Sequence, residues 1–524
     1  MQKKIHDGYG PSVQGFSRNL RELLEFQAAS RPKNEFLFEE PGNRVYTYAD
    51  FDQAVNKTAN LLSTIGVRKG HRVGLFLSNR VEYLILYFAC FKIGAWAGPI
   101  NALLKANEVN YILSNSGASV VVTEGQLYPV MQEAVSGLAA VRHIVIVDGG
   151  PDKPQDRVID YAGRLAGEPT SLASTEISEN DEAVIIYTSG TTGRSKGVLL
   201  THGNLLANAR QIAGWLQLTE SDRSLMIMPL FHVNALMTTG LAVLSVGGSI
   251  VLAPKFSGSA HWSPISKRGV TYFGSVATML SMLNNTYQQG LPPGVDTSAL
   301  RFALCGSAPV PVEVIKDYER LFGCPVIEGY GLSESTCRST FNPIDRRRHG
   351  SVGKTIGNEI RVFDESDNEL APGQIGEIVL RGPNVMKGYY NNEAANDEAF
   401  RSGWFHTGDL GYTDDEGYFY IVDRKGDMII RGGENIYPRE IDEVLYQHPS
   451  VKDAATVGIQ DKLYGEEVKS FVVLREGKAA SEQELIEFCQ KLLAAFKCPK
   501  SVEILDEIPK GPTGKLLKKE LRAR

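Results

Sequence analysis

Short apolar runs of strand length alternate with apolar positions at helical spacing through most of the chain before residue 350. The runs at 72–77 (RVGLFL), 119–123 (SVVVT), 143–147 (HIVIV), 182–188 (EAVIIYT) and 249–252 (SIVL) predict strands. Leu205, Leu206, Ala209, Ile212, Ala213 and Leu216 recur at the period of a helix, with Thr201 as a plausible N-cap. This alternation predicts α/β architecture with largely parallel sheets in a large N-terminal domain. The most membrane-like stretch, 83–100, is interrupted by Lys92 and several glycines, which a spanning helix tolerates poorly. It reads as a buried helix followed by a strand.

The pattern changes near Ser351. Short runs at 359–363, 377–381 and 417–422, separated by the turn signals APGQIG and DDEG, predict a small β subdomain. Beyond Asp423 the spacing predicts an α+β C-terminal domain, with helices at 440–448 and 482–496 and strands near 454–457 and 469–474. The expected division is therefore 1–424 and 427–524, with 425–426 between them. No internal repeat is evident, so a solenoid is not expected.

Composition sets bounds on this picture. A chain of 524 residues exceeds what one hydrophobic core usually supports, in line with at least two domains. A formal charge of -6 argues against nucleic acid as a partner, although a local basic groove for a polyphosphate would not show in that sum. The cysteines (Cys90, Cys305, Cys324, Cys337, Cys489, Cys498) are scattered, without a C-x-x-C pair or zinc-like spacing. They read as free thiols in a reducing compartment. The polar beginning does not resemble a secretory signal, so the expected location is cytoplasmic.

Candidate chemistry centres on residues 187–197, YTSGTTGRSKG. Gly190 and Gly193 let backbone approach a phosphate closely, Thr188, Ser189, Thr191 and Thr192 donate to its oxygens, and Lys196 supplies positive charge. The Walker A spacing is absent from the loop; Gly353-Lys354-Thr355 mimics that motif's tail, but Arg348 stands where its first glycine belongs. By composition alone the loop is either an anion cradle or ordinary surface loop. The segment lies between a strand and a chain that soon enters a helix, where backbone N–H groups can face an anion.

This loop resembles the signature of the adenylate-forming superfamily of acyl-CoA synthetases, luciferases and peptide-synthetase adenylation domains. The resemblance runs nearly end to end. Residues 46–51 (YTYADF), 91–101 (FKIGAWAGPIN), 329–335 (GYGLSES), 403–410 (GWFHTGDL), 423–433 (DRKGDMIIRGG) and 509–515 (PKGPTGK) follow in the family's order. The resemblance implies that Glu334 holds Mg²⁺ and that Ser333, where relatives usually have Thr, binds the α-phosphate. It assigns Gly306, Ser307, Ala308, Glu328, Gly329 and Tyr330 to the adenine pocket, and Asp409 and Arg424 to the ribose. Lys515 matches the lysine that stabilises charge as a carboxylate attacks the α-phosphate. Gly426 stands at the hinge on which the C-terminal domain rotates between half-reactions, where many relatives have Asp or Lys. Gly432, Gly433 and Glu434 fall in the segment that lines the thioester-forming site.

The same resemblance implies ATP, Mg²⁺ and coenzyme A acting with a small carboxylic acid. Residues 231–234 (FHVN) occupy the place where amino-acid-activating relatives carry an Asp, so an amino acid substrate is disfavoured. Phe231, His232, Val233, Gly274 and Cys305, with Met237, Val276 and Met279, would make a largely apolar acyl pocket. Segments 382–390 (GPNVMKGYY) and 496–503 (FKCPKSVE) resemble bacterial fatty-acid and carnitine-type acyl-CoA ligases, which implies a medium- or long-chain fatty acid, with aryl or carnitine-type acids as the alternative. Two readings of other classes are a module that loads a carrier protein and a nucleotide-binding protein without catalysis.

Overall fold

The computed structural model describes residues 17–149, 156–188, 195–308, 310–511 and 516–524. Helix Val81–Ile93 is apolar on every side, and every residue in it except Glu82 is buried. Its Tyr83 hydroxyl donates to the Leu75 carbonyl (3.1 Å) and its Tyr87 hydroxyl to that of Leu230 (2.9 Å). Leu75 belongs to one large sheet, and Leu230 follows a strand of another. The helix thus ties the two sheets into one core, as the interrupted apolar stretch predicts.

The first of these sheets runs, in spatial order, through Gly388–Tyr389, Lys196–Thr201, Glu182–Thr188, Trp96–Pro99, Arg72–Phe76, Val120–Thr123, His143–Ile146 and Val158–Asp160. Its first three strands pair antiparallel and the rest parallel. In the second, Val326–Glu328, Phe302–Cys305, Tyr272–Ser275, Arg223–Met226, Ser249–Leu252 and Glu35–Glu39 are parallel, with Val45–Thr47 antiparallel at the edge. The predicted β subdomain is a four-stranded antiparallel sheet of Glu359–Phe363, Gly376–Arg381, Phe405–Thr413 and Phe419–Arg424. The C-terminal part has its own sheet, helices Pro438–Tyr446 and Glu482–Leu492, and separate apolar clusters around Ile429 and Phe471.

One local expectation is corrected. The glycine-rich loop does not lead directly to a helix: Lys196–Thr201 forms a strand antiparallel to Glu182–Thr188, with Thr188 opposite Lys196 and Glu182 opposite Thr201. Helix His202–Trp215 does start at Thr201, whose side chain accepts from the Asn204 N–H, but at the far end of that hairpin from the loop. The start of this helix is therefore not beside Thr188 and Lys196, which flank the loop. Gly197, Val198, Leu200 and Thr201 are buried in the strand, so its apolar residues are covered within the sheet.

Lys92 is fully buried, and its side-chain nitrogen donates to Asp52 (2.6 Å) and Asn56 (2.7 Å) of helix Tyr48–Thr64. Replacing it with Met should strand Asp52 and cost about 3 kcal/mol. Urea unfolding followed by intrinsic fluorescence should show the earlier transition. In the C-terminal part, Asp442 is buried beside Thr456, Lys518, Asp423 and Glu443, and burial pushes its carboxyl up to about 8. A carboxyl raised in the folded state gives stability that is complete below the ordinary carboxylate range and is lost as pH rises through about 8. Asp442→Asn should remove that slope, so its melting temperature should gain on wild type between pH 5 and 8, a window set by that shift.

Candidate active site

Parallel strands of the second sheet end at one rim, where ligands of α/β sheets gather. Strand Phe302–Cys305 delivers Gly306, Ser307 and Ala308, and strand Val326–Glu328 delivers Gly329 and Tyr330. A side chain at Gly306 would lie 2.2 Å from Arg338 Nη1 and 2.5 Å from the Gly329 carbonyl, so glycine is required there. Arg338 is buried beneath, donating to that same carbonyl (2.8 Å). Ser307 holds a left-handed backbone (φ 70°), a conformation that costs a non-glycine residue energy and gathers at functional sites. Glu328 is buried, and burial pushes its carboxyl up to about 8 against the partial opposition of Arg439 and Arg338.

Tyr330 joins this rim to the small sheet. Its hydroxyl donates to Asp409 Oδ2 (2.6 Å), while Arg424 Nε donates to Asp409 Oδ1 (2.8 Å). Asp409 and Arg424 face each other across adjacent antiparallel strands. The buried carboxylate thus has a cation and a neutral donor among its partners. Arg424 also lies within electrostatic reach of Glu334, which makes it the side chain common to nucleoside and phosphate ends.

At the phosphate end, Thr188 and Lys196 are paired at the base of the glycine-rich hairpin. Ser189, Gly190, Thr191, Thr192 and Gly193 lie outside the described residues, as does Lys515. Ser333 and Glu334 sit on a single 3₁₀ turn, Ser333–Ser335. Glu334 Oε1 accepts from the Tyr389 hydroxyl (3.1 Å), and the Lys196 ammonium stands 4.8 Å from the centre of the Tyr389 ring. Glu334 is a hard oxygen donor suited to Mg²⁺, and among the described residues no group of three or more His, Cys, Asp or Glu could hold a metal.

The acid side begins after strand Arg223–Met226. Phe231 and His232 rings lie 4.8 Å apart, half-buried, and Val233 is buried behind them. Next comes Ala235–Leu241, a π-helix, a rare form that favours functional sites. Its altered carbonyls are taken up by side chains, Tyr272 donating to Thr238 and Ser224 to Thr239. A hydrogen-bonded chain runs through this wall: Thr238 donates to Asn234 Oδ1 (2.8 Å), and Asn234 Nδ2 donates to Ser307 (3.1 Å). Gly274 and Cys305 are buried, with Gly274 facing Thr238, Thr239 and Met228.

Arg424 leads into the turn containing Gly426, closed by Asp427 N–H to the Arg424 carbonyl (2.9 Å). Nothing lies within 4 Å of where a Gly426 side chain would begin, and its φ is not left-handed, so this conformation does not require glycine there. Gly432, Gly433 and Glu434 form an exposed hairpin tip in the C-terminal sheet, with Gly432 N–H donating to the Tyr464 carbonyl (2.9 Å). In this arrangement they are held by that sheet and are not brought to Glu334 or Asp409. Tyr389, Asn234 and Arg338 are site residues that sequence reasoning does not single out. The segment 382–390 carries part of the family resemblance, but the pairing of Gly388 with Leu199 that brings Tyr389 to the hairpin has no local signal.

The model of the AMP-binding enzyme family matches residues 24–390, and that of the AMP-binding enzyme C-terminal domain matches 440–515. The oxalate–CoA ligase of Arabidopsis thaliana is 36% identical over 95% of this chain and 97% of its own length. A crotonobetaine/carnitine–CoA ligase of Escherichia coli is 36% identical over 91% of this chain and 93% of its own. The crystal structure of the anthranilate CoA ligase AuaEII in complex with anthranoyl-AMP superposes with a TM-score of 0.90 at 28% identity, covering 98% of each chain. With both family models matching in order along the chain, it belongs to the AMP-binding enzyme family, as an AMP-forming acyl-CoA synthetase.

Proposed function

We propose that the protein is an ATP-dependent acid–CoA ligase, converting a carboxylic acid and ATP into acyl-AMP and pyrophosphate, then acyl-AMP and CoA into acyl-CoA and AMP. The observation that carries this reading is the reach of Arg424, which pairs with Asp409 and lies within the field of Glu334. A nucleoside held by Asp409 and Tyr330 would have its phosphates directed toward Glu334, Ser333, Thr188 and Lys196. Glu334 would hold Mg²⁺, which when bound would offset phosphate charge. The carboxylate oxygen attacks the α-phosphate in line with departing pyrophosphate, and the glycine-rich loop at 188–193 with Lys196 receives the charge that leaves. Lys515 is assigned the charge developing at the attacked phosphorus. Thiolate attack on the acyl carbon then expels AMP, with Gly432, Gly433 and Glu434 assigned to the thiol side. Their separation from the nucleotide residues supports a rotation of the part beyond 425–426, where Gly426 imposes no steric limit.

For the acid, the hydrogen-bonded chain of Thr238, Asn234 and Ser307 supports a compact substrate with a polar or aryl group over a medium- or long-chain fatty acid. The names of the relatives point the same way: oxalate and carnitine are short and polar, and anthranilate is aromatic. A buried polar wall is costly beside an alkyl tail and favourable beside a group that can hydrogen-bond. A cytoplasmic setting fits cysteines that are all free and buried, and among the described residues no helix is long and apolar enough to cross a membrane.

A panel of dicarboxylic, betaine-type, aryl and fatty acids, assayed with and without CoA, tests this reading. We expect acid-dependent pyrophosphate release that becomes AMP plus thioester on adding CoA, largest for a compact polar or aryl acid. Release driven best by long fatty acids would overturn the pocket assignment. Thioester appearing only on a carrier protein would identify a loading module, and no release with any acid would identify a nucleotide-binding protein. Lys515→Ala should reduce acyl-adenylate formation about a hundredfold or more, the scale seen on losing one transition-state contact. Thioester formation from supplied acyl-adenylate should change far less, and equal loss in both half-reactions would reject the assignment.

A further inference from the structure

Tyr389 touches both charged residues at the phosphate end and belongs to neither motif that carries them. It lies on Gly388–Tyr389, an edge strand paired with the hairpin strand that starts at Lys196. The surrounding segment is sewn down along its length. Lys387 N–H donates to the Leu199 carbonyl (3.0 Å) and Tyr390 N–H to that of Gly197 (2.8 Å). Upstream, Met386 N–H donates to the backbone carbonyl of Glu334 itself (2.7 Å). Asn204, which also caps helix His202–Trp215, donates to the Pro383 (2.8 Å) and Val385 (2.9 Å) carbonyls. One strap therefore fastens the phosphate hairpin to the turn that bears Glu334, and Tyr389 is the side chain it directs between them.

The two ends of this side chain do different things. Its ring face accommodates the Lys196 ammonium at 4.8 Å, a cation–π arrangement, and its hydroxyl donates to Glu334 Oε1 at 3.1 Å. No ion pair within 4 Å joins Lys196 to Glu334 among the described residues, although both reach the same ring. Opposite charges this near in a partly buried site attract strongly, and a lysine already paired with a carboxylate has less charge to offer a triphosphate. A hydrogen bond to one carboxylate oxygen also leaves the other to face a cation.

We propose that Tyr389 is a positioning residue for the adenylation step, seating Lys196 on its ring and fixing Glu334 through its hydroxyl so that ammonium and carboxylate meet Mg·ATP separately. This rests on the adenylation reading given above. It assigns Tyr389 an effect on the metal–phosphate part of the nucleotide and none on the nucleoside, which Asp409, Tyr330 and Arg424 hold.

Isothermal titration calorimetry of the full-length protein with Mg·ATP, with ATP over a series of Mg²⁺ concentrations, and with AMP in the absence of metal tests the assignment. Tyr389→Phe keeps the ring and loses the hydroxyl; it should weaken Mg·ATP binding about tenfold, the scale of a lost hydrogen bond to a charged group. It should also raise the Mg²⁺ concentration needed for half-maximal ATP binding and leave AMP affinity unchanged. Tyr389→Leu should weaken Mg·ATP further while sparing AMP, because the seat for Lys196 goes as well. In a Glu334→Gln background, Tyr389→Phe should cost much less than it does in wild type. Mg·ATP affinity equal to wild type in Tyr389→Phe, or an equal loss for AMP, would overturn the assignment while leaving the adenylation reading intact. Wild-type protein whose ATP binding ignores Mg²⁺ would instead sink both. The Phe variant decides the matter alone if the Leu variant does not fold.

Discussion

A buried carboxylate must be matched, and the way Asp409 is matched organises the site. Arg424 and Tyr330 reach it from different directions, one from the adjacent strand of the small sheet and one from the rim of the seven-stranded sheet. Removing either partner leaves charge or a strong acceptor uncompensated in a place water reaches poorly, a loss worth several kcal/mol where a charge is stranded. The same arrangement therefore joins two structural layers and presents the carboxylate to a ligand. It also fixes the last residue before the turn to the C-terminal part, since Arg424 ends its strand and its carbonyl closes that turn. The nucleoside site and the joint to the C-terminal part share one residue.

What the sequence revealed follows from where its signals are local. Strands such as Glu182–Thr188, Ser249–Leu252 and Glu359–Phe363 appear with the predicted ends because a buried strand needs a continuous or alternating apolar run that turns interrupt. Helix Val81–Ile93 was readable because a lysine and glycines argued against a membrane, and Lys92 proved affordable inside only through Asp52 and Asn56. Among the site residues, Gly306, Gly329, Tyr330 and Arg424 stand at or just past the ends of strands whose order the fold class already restricts, and Asp409 is paired with Arg424 by strand register.

The unread part is non-local. Nothing in KGVLLT distinguishes a strand returning beside its predecessor from the approach to a helix, and only pairing with Glu182–Thr188 decides it. Tyr389 is brought to Lys196 by a two-residue edge strand, too short to leave a periodic trace. The linkage of Asn234, Thr238 and Ser307 across elements is hidden for a different reason. Individually each reads as a residue satisfied by its own backbone, and composition cannot say which way its second hydrogen bond points.

The two ends of the site are built from different materials, and this bears on what can vary. The residues assigned to the nucleotide stand on or beside paired strands, where register holds each position against its neighbours and a shift of one residue would turn every side chain over. The segment assigned to the acid runs into a π-helix, whose backbone carbonyls are completed by the hydroxyls of Ser224 and Tyr272. Changes in such a segment can move Asn234 and Thr238 relative to Ser307 without disturbing the strand order that fixes Tyr330 and Asp409. Ser307 is the meeting point, since its strained backbone belongs to the nucleotide rim and its hydroxyl to the acid wall. A fold arranged in this way can keep one activating chemistry while the acid changes, which accounts for relatives with closely similar chains and chemically different acids.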